Sequence, residues 1–201
     1  MSVKSIFRIA AVSIFLLAPL SHSMAVEISS ALDPAKVSKS RQTPFGLYVT
    51  PTEAHRALAA HPQIVLIDVR DPIEISFVGH PKPMDGNIPL RTVSREFNPG
   101  SGTYKMVSNA GFVADVDALM QRLGFSKDHP VIVSCRSGPR SAAAARMLHA
   151  AGYKQVWNQV EGFEGSIDAE TGARSRNGWR NAGLPWSYRI APGAAWQPTG
   201  N

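Results

Sequence analysis

The sequence is poor in cysteine, in charge and in long apolar runs, and each shortage excludes something. Cys135 is the one cysteine among 201 residues. That excludes a disulfide framework and any four-cysteine metal site. It also excludes a dithiol oxidoreductase, which needs a second thiol. No internal repeat of about 20 to 50 residues is present, which excludes a solenoid. Charged residues make up only 18% and apolar residues 44%, a balance that supplies a core and excludes wholesale disorder. The one apolar run that bears on a membrane sits near the N-terminus and falls short of the ~20 residues a span takes. What remains is one domain of ordinary size with extensions.

That N-terminal run is one part of an address. Lys4 and Arg8 make a basic start, residues 9–20 are apolar with an interruption at Pro19, and Ser23-Met24-Ala25 places small residues where a signal peptidase reads. This is the three-part pattern of a secretory signal. A cut after Ala25 is expected, with an uncleaved anchor as the alternative. Cleavage removes Lys4 and Arg8 and no acidic residue, leaving 176 residues and lowering the formal charge from +6 to +4. The expected compartment is the periplasm, which is oxidising, with no stable membrane insertion once the signal is removed. A charge this small, without a basic stripe or an aromatic platform, excludes nucleic-acid binding.

Residues 26–47 are polar and read as an arm or linker, residues 48–190 as the folded domain, and residues 191–201 as a tail. Thr50-Pro51-Thr52-Glu53 predicts a capping box with proline at the first helical position. Residues 64–69 (IVLIDV) are the mark of a strand buried on both faces. Asp71-Pro72-Ile73-Glu74 predicts a second capped turn. Residues 79–106, rich in Gly, Pro and Asn, read as a long irregular connection. Asn109 is expected to cap a helix with Phe112, Val116, Leu119, Met120 and Leu123 on its apolar side, stopped by Gly124. Residues 131–134 predict a second buried strand, 141–151 an alanine-rich helix and 156–157 a short third strand. The alternation implies an α/β fold with a mainly parallel central sheet and helices on both faces. Ligands of such sheets sit beyond the carboxyl ends of the strands, where Cys135 lies. Trp179 and Trp186 are expected to pack the C-terminal segment back onto the domain.

The segment that carries chemistry is Cys135-Arg136-Ser137-Gly138-Pro139-Arg140-Ser141, between a buried strand and a helix start. A loop wrapped around a helix N-terminus offers unpaired backbone N–H groups and the positive end of the helix dipole, which together make an anion site. Gly138 allows conformations closed to other residues, and Arg136 and Arg140 add formal positive charge. A thiol in this field loses its proton more readily, and a thiolate is a nucleophile. Cys135 is therefore expected to be an accessible, reactive thiol. Core packing of a small apolar residue is the other reading of a cysteine at a strand end, and it leaves the arginines, the glycine and the helix start unexplained.

The strand, loop and helix resemble the active-site loop of single-domain rhodaneses. Asp68-Val69-Arg70-Asp71-Pro72-Ile73-Glu74 resembles that family's Asp-Val-Arg segment followed by an acidic residue. Gly79-His80 and Asn87-Ile88-Pro89 resemble the ends of its Gly-His-Ile-Pro segment, and Gly162-Phe163-Glu164-Gly165 its glycine turn. The resemblance covers residues 50–186. Pro81-Lys82-Pro83-Met84-Asp85-Gly86 departs from the family pattern and bears on the rim of the site.

The resemblance implies a thiosulfate sulfurtransferase needing no metal or organic cofactor. Cys135 takes a sulfane sulfur from a small anionic donor such as thiosulfate, and the persulfide passes it to cyanide or a thiol, including a protein thiol. Backbone N–H groups from Arg136, Ser137, Gly138, Arg140 and Ser141 cradle the sulfur in a loop shaped by Pro139. Arg140, and Arg136 with it, hold the donor; Asp68, Arg70 and Glu74, like His80, support the structure. In cysteine phosphatases and arsenate reductases the loop runs cysteine, five residues, arginine. Here Ser141 holds the arginine's place and the arginine comes one position early, so the cradle suits a sulfur atom rather than a phosphate. Mercaptopyruvate-type transferases have a less charged loop, which leans this one toward a doubly anionic donor. The alternative is a non-catalytic or carrier module that binds a periplasmic partner.

Overall fold

The computed structural model describes residues 26–200; the expected signal, residues 1–25, lies outside them. In chain order the elements are β1 (Tyr48–Val49), α1 (Pro51–Ala60), β2 (Val65–Asp68), α2 (Pro72–Val78), β3 (His80–Pro81), β4 (Gly86–Asn87), β5 (Arg91–Asn98), β6 (Thr103–Ser108), α3 (Phe112–Leu123), β7 (Val131–Ser134), α4 (Pro139–Ala150), β8 (Val156–Gln159) and β9 (Trp186–Ser187). The central sheet is wholly parallel in the order β1-β8-β7-β2-β4. The fold is α/β with helices on both faces of that sheet.

The apolar runs become the two central strands, β2 and β7, which are buried at every position. Their alternate residues feed two cores. Val65, Ile67, Val131 and Val133 meet α3 and α4 on one face; Leu66 and Ile132 meet α1, Phe163 and Trp179 on the other. Both capping boxes form: Thr50 with Glu53 on α1, and Asp71 with Glu74 on α2. Each such cap is worth about 1 kcal/mol. Gly124 ends α3 in the left-handed conformation. Among the described residues no helix is long and apolar enough to cross a membrane.

Several sequence expectations need correction. Residues 79–106 are not one irregular connection: they supply β3, β4 and an antiparallel hairpin of β5 and β6. The hairpin stands off the sheet with no buried residue, so it lacks the burial pattern that marks a strand. Helix α4 begins at Pro139, not Ser141, because Gly138 takes the cap position at φ 106° and proline fits the first turn. Gly111 occupies the cap position of α3, while Asn109, two residues earlier, accepts the Gly111 N–H on its Oδ1 at 2.9 Å. The arm is no free linker. Ala31 N–H donates to Glu53 at 2.7 Å, Ile28 is buried, and Arg41 reaches the cysteine loop.

The C-terminal segment also docks. Trp179 is fully buried and donates from its indole to Pro185 O at 2.7 Å; β9 pairs with β3. Beyond it, Asp115 on α3 accepts from the Trp196 indole and from the Thr199 N–H and hydroxyl.

Candidate active site

Strand β7 ends at Ser134, so Cys135 leaves the sheet at its carboxyl edge between β2 and β8. The chain then turns into α4 within three residues. Gly138 makes that turn possible: a Cβ there would sit 2.2 Å from Val160 O. The Gly138 N–H donates to Cys135 Sγ at 3.1 Å. Among the described residues, the N–H groups of Arg136, Ser137, Arg140 and Ser141 meet no protein acceptor. They are the orphan donors of a loop and helix start, in the same short loop as the sulfur.

A second turn clamps the loop from outside. Phe163 N–H donates to Cys135 O at 2.7 Å, and Glu164 and Gly165 N–H both donate to Arg136 O. Gly162 is the point of closest approach, with φ 69° and an added Cβ only 2.3 Å from Arg136 C and Ser137 N. Below the loop, Arg41 Nε donates to Ser137 O at 2.9 Å. Asn158 Nδ2 donates to Arg41 O, which turns Asn158 Oδ1 toward the Ser141 hydroxyl at 2.6 Å. Ser141 also lies 3.4 Å from Cys135 Sγ. A hydroxyl has one hydrogen, and the shorter Asn158 contact takes it, so Ser141 packs against the sulfur more than it donates to it.

The expected roles meet a different electrostatic setting. Cys135 is not an openly accessible thiol. It is 1% exposed, because loop and glycine turn enclose it, and it lines a cavity of about 570 Å³. Arg140 and Arg136 do not present free charges. Arg140 meets Glu74 through two contacts of 2.6 Å, and Arg136 meets Glu164 at 2.9 Å. Burial lowers the Arg140 pKa, but the Glu74 contacts outweigh it and the guanidinium is held above its ordinary value. Pro139 lines the cavity and Ser137 shares its wall. Asp68 and Arg70 form a fully buried bidentate pair at 2.6 to 3.1 Å, with Arg70 also donating to Gly79 O and lying 4.5 Å from the Phe163 ring centre. Glu74 closes the α2 capping box as well as the Arg140 pair. His80 is buried, its ring nitrogens near Pro81 O and Arg189 O.

Other cavity residues were not singled out from the sequence. The hairpin forms one wall with Arg91, Val93, Thr103, Tyr104 and Met106, and Arg174 enters from the C-terminal segment. Asp71 links the hairpin to the helix: one carboxylate oxygen accepts Ile73 N–H, the other Val93 N–H at 2.6 Å. No local pattern marks Arg91 or Arg174, since only the folded chain brings them to Cys135. Glu164 lay in the glycine turn already noted, and its charge was the available signal.

Comparison with known proteins agrees with this geometry. Residues 50–169 match the family described as the Rhodanese-like domain. The crystal structure of Rv0390 from M. tuberculosis superposes with a TM-score of 0.55 at 33% identity, over 71% of this chain and 97% of that one. Thiosulfate sulfurtransferase GlpE of Actinobacillus succinogenes is 39% identical over 67 residues, which are 32% of this chain and 49% of that protein. An uncharacterized protein of Rickettsia prowazekii is 27% identical over 68% of this chain and 94% of its own length.

Proposed function

The chain belongs to the rhodanese-like domain family, and on that premise we propose that it is a sulfurtransferase working through a persulfide on Cys135. The relatives support sulfur transfer in general. The observation that carries the finer reading is Cys135 in the lining of a cavity, its sulfur accepting the Gly138 N–H in a loop whose other four amides have no protein acceptor.

The Cys135 thiolate attacks the sulfane sulfur of thiosulfate. The thiosulfate S–S bond breaks and its electron pair leaves with sulfite. The outer sulfur of the persulfide then sits among the loop amides, which stabilise its negative charge as backbone donors stabilise an oxyanion. Cyanide or an acceptor thiolate attacks that sulfur, and the bond to Cys135 breaks with its electrons returning to Cys135. No redox partner is consumed. Arg136 and Arg140, paired with carboxylates, shape the wall and contribute field rather than free charge.

The N-terminal signal pattern supports a periplasmic location. A mature protein recovered from the periplasmic fraction and beginning at Val26 bears this out; a cytoplasmic, uncut chain overturns it.

Intact-protein mass spectrometry before and after thiosulfate tests the chemistry. One sulfur atom gained by wild type, absent in Cys135→Ser and released as thiocyanate by cyanide, is the expected result. No gain, with Cys135 still alkylatable, favours the carrier or binding reading. That reading draws its support from the exposure of Phe77 (80%) on α2 and Phe97 (55%) on the hairpin.

A further inference from the structure

The cavity above Cys135 is far larger than an inorganic donor requires. At about 570 Å³ it falls in the range of organic-ligand pockets. One side is apolar. Ile73 and Val78 of α2 face Val93, Tyr104 and Met106 of the hairpin. Of these, Val93, Met106, Ile73 and Tyr104 are 38% to 58% exposed, so they add little to the core. Apolar side chains gathered in the open mark a place where something else binds.

The lining also carries positive charge. Four arginines line the cavity against three carboxylates. Glu74 and Glu164 are committed to Arg140 and Arg136, and Asp71 accepts two backbone N–H groups. Among the described residues, Arg91 and Arg174 have no carboxylate partner. Arg174 gives one N–H to Gly165 O at 2.6 Å and keeps its remaining donors. Burial and the like charges of Arg136 and Arg140 outweigh the attraction of Glu164 and Cys135, and hold it below its ordinary pKa. An anion at this place relieves that repulsion.

We propose that the sulfur acceptor is a thiol of mixed character, an apolar body lodged between α2 and the hairpin and ending in an anionic group held by Arg174. This inference deepens the sulfurtransferase reading and rests on it. An inorganic donor is served by the loop amides and has no use for the apolar wall, which leaves the wall to the acceptor. The acceptor thiolate attacks the outer sulfur of the Cys135 persulfide, a new S–S bond forms on the acceptor, and the bond to Cys135 breaks with its electron pair returning to Cys135. The acceptor's thiol proton goes to solvent.

The test loads the full chain with sulfur from thiosulfate and follows its loss to four thiols, with rates referred to each thiol's thiolate fraction. The thiols are 2-mercaptoethanol, 3-mercaptopropanoate, benzyl mercaptan and 4-(mercaptomethyl)benzoate, which combine the presence or absence of an aromatic body and a carboxylate. The last is expected to react about tenfold faster than either partial match, the scale of discrimination that one added group gives in a fitted pocket. Arg174→Ala removes the carboxylate's advantage and leaves the ring's, Arg174→Lys restores part of it, and Tyr104→Ala does the reverse. Equal rates for the four thiols, or variants that keep the wild-type pattern, overturn the inference alone. A wild-type chain that takes up no sulfur overturns the sulfurtransferase reading and the inference with it.

Discussion

Arg140 turns two terminal guanidinium nitrogens onto Glu74, each at 2.6 Å, and so ties the first turn of α4 to the first turn of α2. The pair fixes the wall beside Cys135 and cancels a charge that the loop sequence carries. Glu74→Gln keeps the shape and leaves the cation unmatched. It is expected to lower KM for thiosulfate about threefold and to cost about 1–3 kcal/mol of stability. Steady-state kinetics and urea denaturation read the two effects; an unchanged or raised KM counts against charge cancellation.

The same pair sets an acid limit. Burial raises the Glu74 pKa, but the Arg140 donors and charge, aided by Arg70 and the Asp71 N–H, hold it below the ordinary 4.5. A depressed folded pKa gives stability that is present above the unfolded value and is lost as the pH falls through the folded one. The stability gap between wild type and Glu74→Gln is therefore expected to be full at about pH 6 and to close steadily below about pH 4.5. Denaturation midpoints of both proteins across that range decide it, and a gap that widens in acid contradicts the assignment.

Arg70→Met should be the most damaging of the charge deletions. It strands Asp68, fully buried, without its cation. The expected loss is about 3–5 kcal/mol, read by chemical denaturation. Replacing Asp68 by leucine in the same protein should recover part of it.

Gly162→Ala forces a methyl group to within 2.3 Å of the Arg136 and Ser137 backbone. Displacing the loop by about 1 Å should cost on the order of a hundredfold in the rate of sulfur loading. Circular dichroism should still report a folded protein. Full loading by this variant means that the glycine turn does not set the loop.

Asp115 gathers the Trp196 indole and two donors of Thr199. Asp115→Ala should free that end of the chain, and Trp196 emission should shift to the red. Wild type should show the same shift in acid, because these donors outweigh burial and hold the Asp115 carboxyl below its ordinary 3.8. The anchorage is thus present above that value and lost as the pH falls.

Much of the fold was legible because it is written in neighbouring residues. The capping boxes at Thr50 and Asp71, the buried runs that became β2 and β7, and the stop at Gly124 each need only a short window of sequence. The hairpin was not legible, since both strands are exposed and its purpose is a cavity wall rather than a core. The cysteine loop announced itself through Cys135, Gly138 and Pro139. Its charge balance did not, because Glu74 lies 66 residues from Arg140 and Glu164 lies 28 from Arg136. Arg41 and Arg174 were hidden for the same reason, as they meet the site only after the chain has closed on itself.

The strap that Arg41 lays beneath Ser137 has a practical consequence for anyone transplanting this domain. The family match spans residues 50–169, but an excised piece with those ends leaves Arg41 behind on one side and Arg174 and the buried Trp179 on the other. Such a graft carries the nucleophile without its footing. The smallest portable unit of this protein is wider than its family signature.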